Sequence, residues 1–175
     1  MRKSLGTALA AAVLAVGGSF AAAGPAGAAA DGRPAVGSGQ AASVRLICYW
    51  AHVAGIGWQN GSSCNGAVAG AVGEGRAVEA LKFSTSGMSG LCARAHVSTL
   101  GWQPWACVGD GGILQIGTTG QSLAIEAVEF LTDGRSMDAD AHLSGYGWQG
   151  WRSGGRVLVG TTGENRAIEA IKVIG

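Results

Sequence analysis

One block of residues is written three times in this chain. His52, Trp58, Gln59 and Glu79 recur as His96, Trp102, Gln103 and Glu126, and again as His142, Trp148, Gln149 and Glu169. Successive histidines stand about 44 to 46 residues apart, a period that belongs to stacked or radially arranged supersecondary units rather than to an irregular globule. A fold must therefore satisfy three near-equivalent units at once. Function must come from a threefold array of indoles, imidazoles and carboxylates.

Each copy reads as β structure. In the second, Leu91, Ala93, Ala95 and Val97 share one face of a strand while Cys92, Arg94 and His96 share the other; in the third, Ala139, Ala141 and Leu143 oppose Asp138, Asp140 and His142. The tryptophan lies in a glycine-rich turn, a short β segment such as Arg156–Val159 follows, and then a Gly-x-x-Gly turn: Gly70–Gly73, Gly117–Gly120 and Gly160–Gly163. The closing segment, Ala167 to Val173 in the third copy, is too short and too tightly bounded by glycine for a stable helix, and its β-branched content favours a strand. About four strands per unit, roughly twelve in all, follow. The expected fold is all-β, with three repeats (43–87, 88–135 and 136–175) around a pseudo-threefold axis in one domain. It is β-prism-like if each copy is one compact sheet, with a β-trefoil as the alternative.

Residues 1–30 have the pattern of an export signal. Arg2 and Lys3 precede a small apolar run from Leu5 to Phe20, and Ala-x-Ala cleavage options follow at Ala26–Ala28 and Ala28–Ala30. The run is short, no stop-transfer charge cluster follows it, and no apolar C-terminal tail is present, so membrane insertion is not expected. Residues 31–42 lack periodicity and large apolar groups and read as a flexible leader. Loss of Arg2 and Lys3 from the 12 basic residues leaves them slightly outnumbered by the 11 acidic ones. A nucleic-acid ligand wants a basic stripe, and this chain has none. The expected localisation is secreted and extracellular.

Four cysteines sharpen that expectation. Cys48 and Cys92 stand four residues before the repeat histidine, Cys64 and Cys107 shortly after the repeat tryptophan, and the third copy replaces both positions, with Asp138 and with Ser153 or Gly154. Joint presence and joint absence favour Cys48 with Cys64 and Cys92 with Cys107 among the three possible connectivities. Each bridge would stabilise by about 3 kcal/mol in the loop-entropy description.

The ordered combination of Gly57-Trp58-Gln59, Gly101-Trp102-Gln103-Pro104-Trp105 and Gly147-Trp148-Gln149-Gly150-Trp151 with downstream Gly-Thr-Thr-Gly and Ile-Glu-Ala resembles the ChW repeats, the "clostridial hydrophobic, conserved tryptophan" family of exported Gram-positive bacterial proteins. The resemblance covers Arg45 to Gly175. It implies export or surface association and a part in adhesion or polysaccharide binding. The first copy departs from the pattern, with Gly61 in place of Trp105 and Trp151 and no paired threonines, so a site built on the second tryptophan would be missing there.

Indole faces stack on the C–H faces of sugar rings, and amides fix hydroxyls. Trp105 and Trp151 in their glycine-rich turns, with Gln103, Gln149 and Trp50, are therefore the candidate ligand-binding residues. Trp58, Trp102 and Trp148 read as core pillars, one per unit. His52, His96 and His142 read as structural spacers; three imidazoles gathered at the axis would be needed for zinc, and no metal or cofactor is expected. Strict alternation puts Glu79 beside Leu81 and Phe83, so Glu79, Glu126 and Glu169 must each find a hydrogen-bond donor. Threefold-equivalent carboxylates are a poor way to build the asymmetric pair of a glycosidase, and no nucleophile elbow, phosphate loop or HExxH is present, so no enzyme activity is expected. The expected partner is an extracellular glycan or cell-envelope component, with a secreted protein partner as the alternative.

Overall fold

A computed structural model describes residues 44–175; the expected signal segment and leader lie outside the described residues. The first repeat contains β1 (Leu46–Val53), β2 (Gly57–Trp58), β3 (Ser63–Cys64), β4 (Ala69–Gly70) and β5 (Val78–Ser86). The second contains β6 (Leu91–Val97), β7 (Gly101–Trp102), β8 (Ala106–Val108), β9 (Ile113–Gly117) and β10 (Ile125–Leu131). The third contains β11 (Met137–Leu143), β12 (Gly147–Trp148), β13 (Arg152–Gly154), β14 (Arg156–Gly160) and β15 (Ile168–Ile174). The all-β, three-repeat expectation is met, and the closing segment is strand. No helix among the described residues is long and apolar enough to cross a membrane.

The repeats are not self-contained sheets. The first sheet runs β2-β1-β5-β9, the second β7-β6-β10-β14 and the third β12-β11-β15-β4, while β3, β8 and β13 pair with β1, β6 and β11. Each repeat thus gives one strand to another repeat's sheet. Strand β4 reaches from the first repeat to β15 of the third, through Ala170 opposite Gly70 and Ile171 opposite Ala69, so the exchange closes in a ring. This corrects the expectation of one compact sheet per copy. Period-two patterning identifies a strand but not the sheet that receives it.

Alternation decides the two faces. Along β1 and β6 every second side chain is buried, and these residues join those of β5, β10, β11 and β15 in one core. Phe83 and Phe130 meet edge to face with ring centres 5.2 Å apart. The equivalent third position is Val173, and the space it leaves is filled by Tyr49, where the other copies have Ala93 and Ala139. The Tyr49 hydroxyl accepts from Val173 N–H at 2.9 Å and donates to the Ala67 carbonyl. Burial pushes its pKa upward, with the backbone hydrogen bonds pulling the other way. The largest residues of the other face are tryptophan, histidine and the cations.

Candidate functional site

A one-residue irregularity organises each outer face. Between the pairs His52–Ala80 and Val53–Val78, β5 carries one residue more than β1, and that residue is Glu79. Glu126 and Glu169 hold the same place in β10 and β15. The bulge breaks alternation. The carboxylates therefore turn from the side of Leu81 and Phe83, where strict alternation puts them, towards the histidines on the outer face. Nδ1 of His52, His96 and His142 lies 3.0, 3.0 and 3.1 Å from Oε2 of Glu79, Glu126 and Glu169. The atoms are within contact distance, but the approach does not have hydrogen-bond geometry. Glu169 also accepts from Gly73 N–H at 3.2 Å. Each histidine belongs to its own sheet, and no group of three metal-binding side chains is gathered among the described residues.

The glutamines, expected at 103 and 149 among the ligand-binding residues, turn their amides onto backbone. Gln103 Oε1 accepts from Gly117 N–H at 2.7 Å, and its Nε2 donates to the Gly117 carbonyl at 3.3 Å. Gln59 makes the same two bonds to Gly70, and Gln149 to Gly160. Each amide thus imitates a strand and grips the end of the strand its own repeat contributes to another sheet.

The first tryptophans are not core pillars. Trp58, Trp102 and Trp148 are half-buried on the outer faces, each meeting its repeat histidine edge to face at 5.3 to 5.4 Å. A cation lies over each: Lys82 Nζ is 4.1 Å from the Trp58 ring centre, Arg94 Cζ 4.6 Å from Trp102, and Lys172 Nζ 3.9 Å from Trp148. The second tryptophans add another indole in two repeats. Arg94 Cζ is 4.8 Å from the Trp105 ring and Lys172 Nζ 4.8 Å from Trp151, so both cations are shared between two rings. Trp105 and Trp151 are 37% and 46% exposed, leaving apolar ring surface open to solvent.

Carboxylates neutralise these two cations. Arg94 pairs with buried Glu129 at 2.6 Å and Lys172 with buried Asp140 at 3.1 Å. Arg156, contributed by the third repeat, reaches Glu129 at 2.5 Å. Burial alone would push the Glu129 carboxyl up, but hydrogen bonds from Arg156 and Arg94, reinforced by their charge, hold it below its ordinary value.

The first repeat differs. Trp50 occupies the place of Arg94 and Asp140 and lies opposite Lys82 in the sheet. Trp50, Trp58, Lys82 and Ile113, the last brought in by β9, line a cleft of about 210 Å³. Trp50 also lines a polar cleft of about 180 Å³ with Gln59, Asn60, Ser62 and Ser63. The repeat without a second tryptophan is thus where an indole-lined cleft lies. A cleft of about 490 Å³ at the Cys92 end of β6 has no aromatic or cationic side chain in its lining.

Sequence patterning points to the indoles and passes over the cations. The signal that finds them is the third residue after each repeat glutamate, Lys82, Glu129 and Lys172, read against the second residue before each repeat histidine, Trp50, Arg94 and Asp140. Two copies give opposite charges at this pair and the first does not.

Fold and surface together define a class: a threefold all-β repeat module with its indoles outside the core, five of them against cations. Residues 52–87, 96–130 and 142–174 match the family Clostridial hydrophobic W, one match per repeat and more than half of the chain, and the chain belongs to that family. Neither a search of curated proteins nor one of solved structures finds a match.

Proposed function

We propose that this protein is a secreted, non-catalytic binding module that recognises glycan of a cell envelope or extracellular polysaccharide through its outer-face tryptophans. One observation carries the reading: none of the six tryptophans is buried, although indole is among the most valuable groups a core can bury. The core is filled instead by aliphatic residues, with Tyr49, Phe83 and Phe130. Exposed indoles, flattened against cations and backed by rigid sheet, offer the pre-ordered apolar platforms that a sugar ring stacks on. With the glutamines committed to backbone, the cations and turn amides are the groups left to meet hydroxyls. Two disulfides, Cys48–Cys64 and Cys92–Cys107, suit an oxidising extracellular environment and agree with export.

Binding to an array of bacterial and plant polysaccharides tests this. Wild-type protein should retain a glycan that the Trp105→Ala/Trp151→Ala double variant, with an unchanged far-UV spectrum, does not. A stoichiometric protein captured from culture supernatant, with no glycan retained on the array, would replace the reading with that of a protein-binding adaptor.

A further inference from the structure

Deepening that reading, and resting on it, we infer that the first repeat carries a separate site for an acidic sugar, a pyranose ring bearing a carboxylate. In the second and third repeats the cation on the indole is neutralised from within, Arg94 by Glu129 and Lys172 by Asp140. In the first, no carboxylate among the described residues pairs with Lys82. The residue opposite Lys82 on β1 is Trp50, at the strand position where the third repeat places Asp140 opposite Lys172, and its neighbour on β9 is the uncharged Gln115. One substitution in the repeat pattern thus removes the internal counter-charge and puts a flat apolar wall in its place.

Gly61 completes the difference. Where the other repeats fold Trp105 and Trp151 onto the cation, the first has no side chain, so the ammonium of Lys82 is covered by Trp58 on one side and borders a cleft on the other. The cleft of about 210 Å³ is smaller than a site for a drug-sized ligand, commonly ~300–1,000 Å³, and suits a single ring within a chain. An apolar ring face would lie against Trp50 and Ile113. Its carboxylate would supply the charge-assisted hydrogen bond that Asp140 supplies to Lys172. Hydroxyls on neighbouring sugars would find Asn60, Ser62 and Ser63, which line a second cleft shared with Trp50. Neutral glycan and acidic glycan are then read by different repeats of one molecule.

Calorimetric titration of the full chain with a tri-uronate and with the neutral trihexose of the same linkage decides the matter. The tri-uronate should bind at least about tenfold more tightly, as one charge-assisted hydrogen bond implies, and its advantage should shrink with added salt. Lys82→Met keeps the aliphatic stem on Trp58 and should erase the preference, leaving the tri-uronate bound no more tightly than the neutral sugar. Trp50→Asp rebuilds the internal ion pair of the third repeat and should erase it too. Equal affinity for the two sugars, or a preference that survives Lys82→Met, overturns the inference alone if the neutral sugar still binds through Trp105 and Trp151. If wild-type protein binds neither these sugars nor any glycan on the array, the general reading falls and takes this one with it.

Discussion

A methyl group at Gly117 has nowhere to go. A Cβ there would run into the Glu79 carbonyl oxygen and stand 2.8 Å from Ala80 Cα, and the residue sits at a φ of +82°. The cause is the bulge at Glu79, which brings the backbone of one repeat against the strand end of the next. Gly117→Ala should therefore cost at least about 2 kcal/mol in denaturant unfolding. Gly120→Ala, at φ +72° but with nothing within 4 Å, should cost only the ~1 kcal/mol of left-handed strain. Charge at this scale is equally local. Because Glu129 titrates below its ordinary value in the folded protein, its ion pairs contribute stability that is complete above the unfolded value, about 4.3, and is lost as pH falls through the lower folded one. The stability difference between wild type and Arg156→Met should accordingly be constant near neutral pH and shrink in acid; a difference unchanged at low pH would show that Arg156 acts through packing. Residue roles were the least legible part of the sequence. Gln103 and Trp105 are two residues apart in one motif, yet one clamps backbone and the other faces solvent, a choice made by where β9 of the same repeat ends once it has joined the first repeat's sheet.

Strand existence and strand facing were legible, because β6 and β11 are written in period two and their burial follows that period closely. Asp140 is the exception, an outward position sealed by Lys172. The bridges were legible for a related reason: Cys48 is the cross-strand partner of Cys64, and Cys92 of Cys107, so losing one cysteine leaves the other without purpose. The third repeat keeps the geometry, with Asp138 directly opposite Ser153. Asp138→Cys/Ser153→Cys should therefore close a third bridge on export, leave no free thiol by titration under denaturing conditions, and stabilise by up to about 3 kcal/mol for a loop of this length. Recovery of two free thiols from folded protein would mean that β11 and β13 do not pair as the first two repeats do. What the pattern could not convey is strand exchange: β4, β9 and β14 carry the same alternating signal whether they join their own sheet or another's.

Across the whole molecule the exchange makes three sheets answer as one. The sheet of the third repeat is completed by β4, a two-residue strand from the first, whereas β9 and β14 each supply five residues. The seam that closes the ring is thus its shortest, backed by Gln59 on Gly70 and by Tyr49 reaching Val173. A Cβ at Gly70 would strike the Glu169 carbonyl oxygen and lie 2.5 Å from Ala170 Cα. Gly70→Ala, a change in the first repeat, should therefore loosen the third: amide exchange at Ala170 and Ile171 should quicken before exchange in β6. If the ring is one cooperative unit, thermal unfolding of this variant should remain a single transition at a lower midpoint, by about 3–6 °C for each kcal/mol lost. Two resolved transitions, the earlier confined to the third repeat, would instead mean that the sheets share strands but not stability. Cooperativity matters for binding because the outer-face platforms are fixed only while the sheets beneath them are intact. A seam variant that unfolds as one body should lose its outer-face platforms in all three repeats at the same temperature.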